Sequence, residues 1–244
     1  MLKDIPLKYF LGFAIVLLLS FMVIQSPHLS TGLPLHADSY DNIAITQQIL
    51  KTGDIFVNDP YAPPVELESE YFYRTGIDLE IGYSLILSGF SFIPFIDPTT
   101  LPNVFPWIVS ILTFLVVFTL LKELCRSELL AFIASLFVFF LPSSNSLLGP
   151  VYLVASSLAL LLVPLMLYLG YKTLWDDEYT KFFVASLLIS GLIYPPSVII
   201  ALLALTAFIL VSPNVYQKNK SKIRLILGVS IIFIVMYILF LQFI

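Results

Sequence analysis

Seven apolar runs restrict this chain to one class of fold. They occupy residues 7–24, 81–96, 104–121, 129–141, 151–171, 182–211 and 223–244. A helix of about 20 apolar residues matches the roughly 30 Å hydrocarbon core of a bilayer and satisfies its own backbone hydrogen bonds there. The chain is 59% hydrophobic and 11% charged, which leaves too few charged side chains to solvate a globule around such runs. The expected fold is therefore an all-α polytopic membrane protein.

Two runs need separate treatment. Residues 81–96 are interrupted by Gly82, Gly89 and Pro94 and are expected to lie on the outer membrane surface without crossing it. Residues 182–211 would make a helix about 45 Å long, more than a bilayer core requires. Tyr194-Pro195-Pro196 interrupts them, and each proline removes a backbone donor while Pro195 biases Tyr194 away from helix. A hairpin of two short spans is the expected reading, with one long kinked helix as the alternative.

Basic residues set the orientation, because short cytoplasmic loops are enriched in lysine and arginine. With residues 81–96 not crossing and the Pro-Pro segment as a hairpin tip, ten of the 12 basic residues fall on one side, and only Lys51 and Arg74 fall on the other. This predicts about seven transmembrane helices in one membrane domain, residues 1–244, with the amino terminus inside the plasma membrane. Residues 1–25 form the first span, 26–102 a large extracytoplasmic loop with short amphipathic and juxtamembrane helices, and 103–244 six further spans. The single cysteine, Cys125, excludes an internal disulfide and falls on the reducing side. A net charge of −4 argues against nucleic acid as a partner. Central portions of the spans lack charged residues, which disfavours a transporter.

Candidate chemistry concentrates in the outer loop. From Asp38 to Lys51 it reads as a short amphipathic helix, with Tyr40, Ile43, Ala44 and Leu50 at helical spacing and Gly53 as a stop. Asp38 and Asp41 lie three residues apart and share a face. They read either as a general base or metal ligand at the membrane boundary or as a cap and first-turn acid favoured by the helix dipole. Arg74 and Lys51 are the outer cations available to a phosphate, Arg74 with the better bidentate geometry. An ordinary salt bridge with nearby acids is the competing reading. Tyr83 reads as an interfacial aromatic, with sugar stacking as the alternative.

The order of one span, then a loop opening Ala37-Asp38-Ser39-Tyr40-Asp41-Asn42-Ile43-Ala44 and continuing Gln48-Ile49-Leu50-Lys51-Thr52-Gly53-Asp54, resembles the GT-C glycosyltransferases. It is most similar to the branch of protein O-mannosyltransferases and aminoarabinose transferases, of which this chain would be the amino-terminal seven-span module. Gly82-Tyr83-Ser84-Leu85-Ile86-Leu87 is similar to that family's juxtamembrane helix. The resemblance implies sugar transfer from a polyprenyl-phosphate donor to an acceptor (protein, lipid or glycan) on the extracytoplasmic face. It implies Asp38 as the base or acceptor-orienting carboxylate; Asp41 beside it is a further catalytic candidate, and Arg74 (by elimination), Lys51, Tyr40 and Tyr83 are the candidates for binding substrate. No cofactor is fixed by it; a divalent cation stays open, without support from a second acidic motif, since residues 142–152 carry no carboxylate. A non-catalytic membrane subunit, or a truncated relative of such an enzyme, is the alternative.

Overall fold

The computed structural model describes residues 7–31, 37–55, 81–93, 97–141, 150–152, 154–211 and 220–241, and these are almost wholly helical. Helix α1 (Leu7–Ser20) runs without a break through a π-helical turn, Phe21–Gln25, into α2 (Ser26–Thr31). The sequence suggests a stop near Gln25, but the wider turn carries the helix past Pro27. There the Ser26 N–H bonds Phe21 O, five residues back, and the Ser26 hydroxyl donates to Met22 O at 2.8 Å. Then follow α3 (Ala37–Thr52), α4 (Ile81–Phe90), α5 (Leu101–Cys125) and α6 (Glu128–Leu136), the last ending in a 3-10 turn, Phe137–Phe140. The remaining helices are α7 (Ala155–Thr173), α8 (Glu178–Ile193), α9 (Pro195–Val211) and α10 (Lys220–Leu241).

Local chemistry sets several boundaries. Arg126 ends α5 in the left-handed region, φ 54, with its N–H on Lys122 O, and the Ser127 hydroxyl then caps α6 by accepting from Leu130 N–H. The expected break falls at Tyr194, whose φ −155 and ψ 88 end α8. Pro195 then opens α9 at the position where a missing N–H costs nothing, and Tyr194 O accepts from both the backbone and the hydroxyl of Ser197.

Side-chain contacts fix the helix directions. Antiparallel α1 and α5 are joined where Trp107 Nε1 donates to Ser20 Oγ at 2.9 Å. Rings of Phe114, Phe118, Phe132 and Phe139 lock α5 to α6 as a hairpin. The carboxyl ends of α5 and α7 meet through Lys172 and Glu123, and those of α7 and α9 through Tyr171 and Phe208. Helices α5, α7 and α9 therefore run parallel. Lys222 and Asp177 tie the amino end of α10 to the α7–α8 turn at 2.8 Å. The main core lies among α4, α5, α7, α8, α9 and α10, around Leu87, Met166, Leu187, Leu202 and Ile223.

The expectation of seven spans is overturned. Among the described residues, three helices are long and apolar enough to cross a membrane: Leu11–Ser30, Val104–Cys125 and Ala155–Thr173. They are consistent with an integral membrane protein whose partner is the lipid bilayer. The physical reason for the lower number is that an apolar run counts residues whether or not one continuous helix carries them. Residues 182–211 are divided between α8 and α9, whose 16 and 17 residues reach only about 24–26 Å. Glu128–Phe140 is shorter still. Helix α4, which the seven expected spans leave out, reaches about 15 Å with its 10 residues.

Candidate functional site

The helix proposed to carry the chemistry, α3, caps one end of the bundle. Gly53, at φ 72, stops it, and the Gly53 N–H closes the last turn on Ile49 O at 2.8 Å. Its buried positions are Ser39, Asn42, Ile43, Thr46 and Ile49, at a spacing of three to four. That face differs from the apolar stripe expected, because Tyr40 and Leu50 are exposed and three polar residues take their place. Thr46 donates its hydroxyl to Asn42 O at 2.7 Å, so burying it leaves no lost donor.

The partner of α3 is α4, which buries Tyr83, Ser84, Leu87 and Ser88. On α4 the Ser88 hydroxyl again donates within its own helix, to Ser84 O at 2.8 Å. Gly82 lets α4 approach the end of α8 closely. A methyl group there would stand 2.5 Å from the Leu192 carbonyl oxygen. On the other side Tyr83 and Phe90 pack edge-on against Phe105 of α5, with ring centroids 6.2 and 5.2 Å apart.

The predicted site residues are only partly gathered. Asp38 and Asp41 both lie in the first turns of α3, and Asp41 is exposed. The side chain of Asp38 and the whole of Arg74 lie outside the described residues. Tyr40 is exposed beside Asp41. Lys51 is exposed at the far end of the helix, about 15 Å along the axis from Asp41, so the two do not share a site. Tyr83 is 0% exposed and belongs to the core; it is neither an interfacial anchor nor a stacking platform. His28, another polar residue at the loop entrance, is buried with Nε2 2.6 Å from Val151 O. Just before α5, the exposed Asp97 accepts from the Thr99 N–H and hydroxyl at 2.8 and 2.7 Å, and these bonds hold its carboxyl below the ordinary range. Among the described residues no three acidic, histidine or cysteine side chains gather as a metal site.

The opposite end holds a feature that the loop motifs gave no reason to expect. Where the carboxyl ends of α5, α7 and α9 meet, a cleft of about 760 Å³ opens. Phe118, Tyr171, Trp175 and Phe208 form its aromatic wall, and Lys122, Glu123 and Arg126 its charged rim. Lys122 pairs with Glu128 and Lys172 with Glu123, each at 2.6 Å. The signal for this site in the sequence is the recurrence of aromatic and basic residues at the ends of apolar runs.

Comparison of the chain with protein-family models, with curated proteins and with solved structures finds no match. The resemblance to the GT-C glycosyltransferases is therefore overturned. Its seven-span module requires more crossing helices than the three present among the described residues, and the short motif at residues 38–54 has no family match behind it.

Proposed function

We propose that the protein is a membrane-bound glycosyltransferase that moves a sugar from a polyprenyl-phosphate carrier to an acceptor hydroxyl, with α3 as the working element. One observation supports this reading above others. A buried polar face seats α3 firmly on the bundle, while Asp41 stays exposed at the end away from the clustered cations. A carboxylate on so anchored a helix can take the acceptor's proton as its oxygen attacks the anomeric carbon. The bond to the carrier phosphate breaks, and the phosphate leaves with the electron pair. Arg74 is the cation proposed to meet that phosphate. The bias of basic residues assigns the α3 end to the extracytoplasmic face of the plasma membrane, with the amino terminus inside.

Asp38→Asn and Asp41→Asn, assayed in membranes with a radiolabelled polyprenyl-phosphate sugar, separate base from cap. Loss of the base lowers turnover by about 10²–10⁴-fold with little change in thermal stability. Full turnover in both variants overturns the assignment. A second reading, a non-catalytic membrane subunit, is favoured by the position of the 760 Å³ cleft, at the end opposite Asp41. Wild-type membranes that transfer no sugar from any polyprenyl-phosphate donor, yet need the chain for a partner's activity, would select it.

A further inference from the structure

We propose that the cleft between the carboxyl ends of α5, α7 and α9 binds the headgroup of an anionic phospholipid. The proposal stands apart from the glycosyltransferase reading, which concerns the other end of the bundle.

Charge is the first ground. Lys122, Arg126 and Glu123 line the cleft, Glu128 and Lys172 pair with two of them, and the exposed Asp176, Asp177 and Glu178 follow Trp175 along the chain. Each lysine is held by one glutamate, whereas Arg126 is exposed and makes no ion pair among the described residues. Its backbone is fixed in the left-handed cap of α5, so one guanidinium is set on the rim with its fork of donors unclaimed by carboxylate. That fork matches the oxygens of a phosphate diester.

The second ground is depth. Trp175, 47% exposed, packs edge-on to Tyr171, and Tyr171 to Phe208, at the ends of helices whose outward faces are apolar. Amphipathic rings at this position mark the headgroup level of a bilayer. Leu210 and Val211, 71% and 83% exposed, add apolar surface at the end of α9. A ligand here meets cation and aromatic surface together, as a lipid headgroup with its glycerol does. A freely soluble phosphate would use only the cation.

The test uses the full chain in vesicles. Its two tryptophans are Trp107 and Trp175, so a Trp107→Phe background leaves Trp175 as the sole tryptophan, excited selectively over tyrosine. Quenching is then compared between brominated phosphatidylglycerol and brominated phosphatidylcholine at equal mole fraction. One unscreened cation at the headgroup layer should give about a five-fold preference for the acidic lipid. In Arg126→Asn, where asparagine tolerates the left-handed backbone, the preference should fall close to parity. High salt should weaken it in the parent, which keeps the test decisive if that variant does not fold. Equal quenching by the two lipids, a preference unchanged by both Arg126→Asn and salt, or displacement of the acidic lipid by millimolar inorganic phosphate would each overturn the proposal.

Discussion

The two ends of the bundle are held by different physics. At the α3–α4 end, polar side chains are buried without charge, the Thr46 and Ser88 hydroxyls are returned to their own helices, and one helix sits on another through a glycine. At the other end, charges are gathered in ion pairs that remain partly in solvent. Close packing tolerates no added volume, whereas exposed ion pairs are weak and interchangeable. The first end is built to hold one shape. The second can exchange its partners, which suits a surface that meets mobile lipid.

Three measurements press on this contrast, beginning with the largest effect. Gly82→Ala should destabilise the protein by about 1–3 kcal/mol, because the methyl group meets the backbone oxygen of Leu192, not the movable tip of a side chain. Thermal unfolding in detergent would register it, with increased labelling of a cysteine placed on α3. An unchanged midpoint would mean that α4 and α8 are not in close contact.

Lys172→Met removes the pair with Glu123, whose side chains are 23% and 39% exposed. Solvent screening should hold the loss to about 0–1 kcal/mol, and added salt should shrink it further. A loss comparable to that of Gly82→Ala would erase the distinction between the ends.

The smallest effect belongs to Asp97, where hydrogen bonds from Thr99 lower the carboxyl pKa in the folded state. The sign follows from linkage. A depressed folded value contributes stability above the unfolded pKa, and that contribution disappears as the pH falls through the folded value. Asp97→Ala should therefore lower stability slightly above the unfolded pKa, neutral pH included, and converge with the parent as the pH falls through the folded value; the effect is small because the group is fully exposed. A loss that persists at low pH would assign Asp97 a larger part in starting α5.

Particular residues show how far a linear reading reaches. Gly53 as a helix stop and the break before Pro195 were legible because each depends on backbone preference within a few residues. Tyr83 was not. An aromatic beside polar residues at a span's edge looks interfacial until Phe105, distant along the chain, is folded over it. The buried face of α3 was missed because serine, asparagine and threonine register as polar, while their burial depends on where α4 lies. Of the candidate site, the shared location of Asp38 and Asp41 on one helix was legible, and so was the distance of Lys51 from them, since a helix running to Thr52 carries it to the far end.

Composition alone made this a helical chain for a lipid environment, since its apolar runs exceed what so few charges could keep in water. How many helices can cross was decided by tertiary structure, because crossing depends on unbroken helical length and hydropathy records only the residues present. The same holds for the cleft. Glu123 and Lys172 lie 49 residues apart, and only the parallel packing of α5 and α7 brings their charges to one rim.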